Sequence, residues 1–353
     1  MTTKMHAQKI AGAMLLLASI FTLLNVGNER LQAAPTSSAP TSSAPTSAAQ
    51  PAASQTSTAS SHQLAPAQGV VMHFMDRTMG QLFNMPLIWD FNGEMPKGEF
   101  YSLTKGLVKI NPGVRLYFQP NGLALEHPGI LQDFPPESLH GLDVMNLEFE
   151  DQFLSHVGKV HSLRALKLKG TDIDDNKMKY LDNLPNLKNI DLSKTLVEGP
   201  GLSKLKASKD LRRIDISWDP LRPEIGQNLS NFPNLTCLFL AHARIKDSYL
   251  PSIAKLKTLT HLKLSENNDI TDSGIAALAP LKSLKVLEVV DTKITPAGLT
   301  QLKTIPLKII WVDKRHENAT NKALLHKAFP ACTFRFERSQ IGNAPVELFE
   351  PLH

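Results

Sequence analysis

Leu235-Thr236-Cys237-Leu238-Phe239-Leu240 is followed, after an interval of twenty-four, by Leu259-Thr260-His261-Leu262-Lys263-Leu264. The same L-x-x-L-x-L frame stands upstream at Leu163, Leu187 and Leu211, and Leu284 and Leu307 continue it with a one-residue slip each way. Three places on are Leu166, Ile190, Ile214, Leu238, Leu262, Leu287 and Ile310. Two further on are Leu168, Leu192, Ile216, Leu240, Leu264, Val289 and Val312. A looser copy is expected at Val144, Leu147 and Phe149. Alternation across L-x-L predicts a short strand with one face inward.

A second apolar series follows in each unit, at Leu181, Leu205, Leu229, Ile253, Leu278 and Leu302. Met178, Leu202, Leu250, Ile275 and Leu299 stand three places before five of these, the spacing of one helical face. Thr271-Asp272 and Thr295-Pro296 supply helix-start chemistry. No unit can bury its own apolar face, so stacking must close the core. The fold class expected is α/β, a curved right-handed solenoid with a parallel sheet on its concave face and helices on its convex face. Trp218-Asp219-Pro220-Leu221-Arg222-Pro223 departs from the usual turn and puts the helical return of its unit in question.

Open ends of such a stack need caps. At the N-terminal end, residues 69–140 are expected to form a small β cap, with strands at Gly106–Ile110 and Val114–Phe118 around the turn Asn111-Pro112-Gly113. The repeats occupy 141–316, and 317–353 closes the stack. There Ala319–Phe329 reads as an amphipathic helix stopped by Pro330, followed by a last strand at Cys332–Phe336 and an irregular tail.

Ahead of the cap lie two segments of different character. Residues 1–33 combine Lys4 and Lys9 with the apolar run Ile10–Val26 and read as an export signal; cleavage near Ala33 is favoured over retention as an anchor. Residues 34–68 repeat APTSS units and read as a disordered tether. Both readings of the leader predict a secreted or cell-envelope location, with the membrane touched only through the apolar segment if it is uncleaved.

The chain has 353 residues, 42% hydrophobic, with a formal charge of +5 and pI near 9.0. The basic excess is spread out and no aromatic-interleaved basic motif occurs, so no nucleic-acid partner is expected. Cys237 and Cys332 give no disulfide framework, and at about four strand spacings apart they are too distant for a bridge.

Asn268-Asp269-Ile270-Thr271-Asp272-Ser273-Gly274-Ile275 and Thr292-Lys293-Ile294-Thr295-Pro296-Ala297-Gly298-Leu299 resemble the T-x-I-T-D-x-G-L repeats of bacterial leucine-rich-repeat proteins. Leu324-Leu325-His326-Lys327-Ala328-Phe329-Pro330-Ala331-Cys332 resembles the closing helix of that group. Gly106-Leu107-Val108-Lys109-Ile110 before Pro112-Gly113 likewise resembles its N-terminal β cap. The resemblance covers about residues 106–334. It implies the fold and a binding role, and leaves the ligand open.

The x positions of L-x-x-L-x-L face out of the sheet. One row is Asn146, Ala165, Asn189, Arg213, Cys237, His261, Val286 and Ile309. The next is Glu148, Lys167, Asp191, Asp215, Phe239, Lys263, Glu288 and Trp311, with Trp218, His242 and Glu266 beyond. Arg213, Asp215, Trp218, Phe239, His242, His261 and Lys263 form the candidate partner-binding patch, because aromatic residues and Arg dominate interface energetics; the alternative is that these side chains cover strand backbone or pack on each other. A protein partner is expected, with a glycan as the alternative. A self-associating envelope component is the second reading. The third, an enzyme using Cys237 and His261, is disfavoured because a sheet face offers no oxyanion donors. Cys237 is instead expected to be an accessible thiol. No cofactor, metal or catalytic motif is found in the sequence.

Overall fold

The computed structural model describes residues 69–85 and 98–338. The leader and tether expected at 1–68, and the tail beyond 338, lie outside the described residues.

Among the described residues, twelve strands make one sheet. Its repeat portion is β6 (Leu139–Asp143), β7 (Ala165–Lys167), β8 (Asn189–Asp191), β9 (Arg213–Asp215), β10 (Cys237–Phe239), β11 (His261–Lys263), β12 (Val286–Glu288) and β13 (Ile309–Asp313). β14 (Thr333–Glu337) completes the C-terminal end. All of these pair in parallel and in one register: Leu166, Ile190, Ile214, Leu238, Leu262, Leu287 and Ile310 stand opposite one another. These side chains and the two flanking apolar series are buried along the whole stack. Each fully buried Leu or Ile contributes about 1.5–3 kcal/mol, so the leucine frame both sets the fold and supplies most of its stability.

The returns on the other side are short, of one to two helical turns. They include Asp151–Val157, Lys177–Leu181, Pro200–Lys204, Ile225–Leu229, Leu250–Ile253, Asp272–Ile275 and Pro296–Leu299. The departure at Trp218–Pro223 does not abolish its return, which forms at Ile225–Leu229. The T-D-x-G unit is a clamp between rungs. Asp247 accepts from Thr271 N (2.8 Å) and Thr271 Oγ1 (2.6 Å), and Asp272 accepts likewise from Thr295 N (2.7 Å) and Oγ1 (2.6 Å). Gly274 and Gly298 are required because a Cβ there would lie 2.1 Å and 1.9 Å from those carboxylates.

The first rung corrects the sequence reading. Val144, Leu147 and Phe149 do not form a strand. The strand is β6, and Leu139-x-x-Leu142-x-Val144 is a true copy, twenty-four residues ahead of Leu163. Gly141 and Asp143, not Asn146 and Glu148, therefore join the outward rows, opposite Ala165 and Lys167.

In the cap, β1 (Val70–His73) pairs with β4 (Leu107–Ile110) as a separate antiparallel pair. β2 (Gly80–Asn84) lies between β3 (Phe100–Leu103) and β5 (Leu116–Pro120), and β5 hands the sheet on to β6. The two cap strands around Pro112 thus form, but enter different sheets. At the other end, the helix Ala319–Ala328 is capped by Asn318, which accepts from Asn321 N (2.9 Å).

Candidate functional site

The outward residues of β9, β10 and β11 do share one surface, since Arg213, Cys237 and His261 are register partners, as are Asp215, Phe239 and Lys263. Accessibility follows the alternative in which these side chains pack on one another. Arg213 is 5% exposed, Phe239 4% and His261 6%. Lateral packing contributes: the Arg213 guanidinium lies over the Phe239 ring at 4.1 Å, and its Nη2 sits 3.6 Å from Asp215 Oδ2. His261 Nδ1 is 2.9 Å from Thr260 Oγ1. Cys237 is fully buried, which overturns the accessible thiol. Neither cysteine is in a disulfide.

Most charges on this face are compensated within it. Lys263 reaches Glu288 at 3.0 Å. Asp143 accepts from the Tyr117 hydroxyl and from Gln119 Nε2 (3.0 Å), with Lys167 Nζ at 3.9 Å. Burial, then the Asp143 charge, raises the Tyr117 phenol far above its ordinary value. Burial and the adjacent Asp215 raise the Asp191 carboxyl, although Ser193 donates to it from both N and Oγ.

The exposed part of the patch lies at the corner where each strand ends. Lys194, Trp218, His242 and Glu266 occupy this corner on consecutive rungs, and all four have left-handed backbone, φ 59°, 72°, 52° and 64°. Gly170 holds the same place one rung earlier at φ 70°. A left-handed turn suits Gly and costs a side-chain-bearing residue about 1–2 kcal/mol, so bulky side chains here oppose backbone preference. They form a column. Lys194 Nζ lies 5.0 Å from the Trp218 ring, Trp218 stacks on His242 at 4.3 Å and 26°, and His242 Nδ1 is 3.5 Å from Glu266 Oε2. Trp218 is half-buried and His242 exposed.

One residue beyond the corner a buried ladder position runs through Thr171, Thr195, Asp219, Ala243, Asn267 and Thr292. Asn267 accepts from Ala243 N (3.0 Å) and Ile245 N (2.9 Å) and donates to Leu240 O and Leu264 O, both at 2.8 Å. Asp219 accepts from Thr195 N at 2.7 Å, and burial pushes its carboxyl up to about 8. Sequence reading passed over both, because four residue types (Thr, Asp, Ala and Asn) fill one structural position.

Among the described residues, no group of three or more His, Cys, Asp or Glu side chains could hold a metal ion. Among them, too, no helix is long and apolar enough to cross a membrane.

A family model described as Leucine Rich repeat matches residues 255–279, one unit around β11. Together with the register of β6–β13, this identifies the fold as a leucine-rich-repeat solenoid. Among solved structures it is similar to an internalin C2 from Listeria monocytogenes, at 19% identity, covering 59% of this chain and 83% of that one, with a TM-score of 0.40. It is also similar to an internalin (inlF) from the same organism, at 20% identity, 62% and 65% coverage and a TM-score of 0.41. The chain thus spans slightly less than two thirds of the second. No curated protein matches the sequence.

Proposed function

We propose that this protein is an extracytoplasmic interaction module that captures a protein partner on the sheet face of its solenoid. Trp218 and His242 make the contact. Arg213, Phe239 and His261 form the packed bed beneath, and Asp215 and Lys263 are polar neighbours. The observation that carries this reading is the corner column Lys194–Trp218–His242–Glu266, in which large side chains occupy turns that the fold alone would fill with Gly. Strain retained where the scaffold does not need it points to use, and Trp ranks first among the residues that anchor interfaces.

The test compares the immobilised full chain with its Trp218→Ala/His242→Ala variant and with Lys293→Ala, which alters an exposed residue of the turn ahead of the Pro296–Leu299 return. Each is challenged with secreted and surface proteins, and bound species are quantified by mass spectrometry. Bound partners should fall about tenfold or more on the corner variant, as loss of a hot spot dictates, and remain on Lys293→Ala. Equal capture by all three, with unchanged melting, overturns the proposal.

A second reading, self-association, is favoured by one feature. Phe100 and Leu103, on the outer strand β3, are 56% and 46% exposed. Light scattering over a range of protein concentrations separates it from the first, since a monomer at all concentrations removes it.

A further inference from the structure

The N-terminal end of the sheet is apolar where a cover should be polar. Of the nine large apolar side chains most exposed among the described residues, six lie within residues 70–107, so the apolar surface is concentrated in the cap. A terminal unit of a stack is expected to turn a polar face outward, and a concentrated apolar one marks a contact surface. Phe100 and Leu103 of this group stand on β3, the last strand at this end of the sheet.

The backbone of β3 is open on its outer side. Thr104 directs both of its groups at the β2 side, donating from N to Gly80 O (3.1 Å) and accepting at O from Met79 N (2.9 Å). Backbone direction alternates along a strand, so Leu103 turns its N–H and C=O to the outer edge. There the Leu103 carbonyl is met, among the described residues, by the Ser102 hydroxyl at 2.9 Å. Tyr101 is the extra residue of the irregularity between β2 and β3 and has no register partner on β2; the ladder leaves such a residue unpaired. Its hydroxyl is held by Lys109 O at 2.8 Å and Asn111 N at 3.2 Å, which fixes the strand in place.

Exposed edges are commonly guarded by charges, and β3 has one beyond each end, Glu99 and Lys105, both exposed. Neither enters an ion pair among the described residues. They are opposite in sign and stand three residues to either side of Ser102. Two such strands laid antiparallel, with Ser102 opposite its own copy, set Glu99 of each chain against Lys105 of the other. Leu103 then faces Tyr101, and Phe100 faces Thr104. An axis between Tyr101 and Ser102 would instead set Lys105 against Gly98 and lose both charge pairs. The backbone edge would accept any extended segment, but the placement of the two charges favours a copy of this one.

We propose that β3 pairs antiparallel with β3 of a second copy about a two-fold axis at Ser102, giving a closed dimer with one continuous sheet. The proposal rests on the self-association reading and gives it a stoichiometry, because an isologous contact uses up the edge and stops at two. A single short strand pair buries less surface than a stable interface, so the dimer is weak, micromolar to millimolar. β3 lies five strands from β8, about 24 Å at strand spacing. The corner column that begins at Lys194 therefore stays open in both copies.

The test is sedimentation velocity on the full chain from about 10 µM to about 1 mM. The wild type should pass from monomer to dimer with no larger species. Glu99→Lys and Lys105→Glu each set like charges opposite one another twice per dimer. Each should weaken association about tenfold or more and leave melting unchanged, since both positions are exposed. An equimolar mixture of the two variants should dimerise again at about wild-type strength, because every Lys then faces a Glu.

A monomer at every concentration overturns both this proposal and the self-association reading. Association that continues past the dimer, or that ignores both charge reversals, overturns the β3 dimer and leaves self-association through another surface. Failure of the mixture to restore dimers overturns the two-fold register. Loss of the dimer in Trp218→Ala/His242→Ala but not in the charge variants moves the contact to the corner column and sinks the β3 pairing.

Discussion

Replacing Asp219 by asparagine should stabilise this protein, and the size of the effect follows from where the carboxyl sits. Asp219 is fully buried at the ladder position that Asn267 fills two rungs later. Burial pushes its carboxyl from the ordinary 3.8 up to about 8, and the neighbouring Asp215 and Asp191 charges add to this against the bonds from Thr195. An acid whose folded value lies above its unfolded value is protonated in the fold while the unfolded chain has released the proton. Its contribution to stability is fully present below about pH 4 and is lost progressively up to about pH 8, at roughly 1.4 kcal/mol per pH unit. At pH 7 the accumulated loss reaches about 4 kcal/mol, and adjustment of the surroundings would lower it to no less than about 2 kcal/mol. Asparagine does not titrate, and it retains an acceptor for Thr195 N. Asp219→Asn should therefore raise the melting temperature by about 5 to 15 °C near pH 7, with the difference shrinking to nearly nothing at about pH 4. Circular dichroism melts of both proteins at several pH values between these limits decide the matter. Parallel pH profiles, or a less stable variant at the alkaline end, would falsify the claim that a neutral acid stands in for an amide here.

Other outcomes follow from neighbouring geometry. Asn267→Ala strips the acceptor from Ala243 N and Ile245 N and the donor from Leu240 O and Leu264 O. It should cost about 3–5 kcal/mol, seen as a lower urea midpoint with unchanged slope. Cys237 is fully buried and Cys332 nearly so, its thiol pushed up to about 12 by burial. A thiol-selective chromogenic disulfide should label neither in the native protein and both in denaturant. Rapid native labelling at Cys237 would contradict the packing described for β10.

The solenoid was readable because its cause is periodic: leucines at one interval can be hidden only by stacking. The first rung escaped for a local reason. His140-Gly141 and Asp143 obscure Leu139, Leu142 and Val144, although the interval is kept. Strand alternation correctly placed Arg213, Phe239 and His261 on one face, since it depends only on pleat direction. It could not reveal that the Arg213 side chain lies down on Phe239, because cover by neighbours is a matter of rotamers rather than of register. The left-handed corners were hidden in the same way. Gly170, Asn146 and Asp291 mark such turns openly, whereas Lys194, Trp218 and Glu266 adopt the same backbone without any compositional sign.

The clamps from Asp247 to Thr271 and from Asp272 to Thr295, like the strand ladder itself, join each coil only to the next one along. Tension applied at the two ends would therefore not be shared across the molecule but would fall on one seam at a time. The chain should come apart as a sequence of small releases of similar extension, beginning where a terminal cover gives way, and a cut in one loop should leave the distant coils still wound.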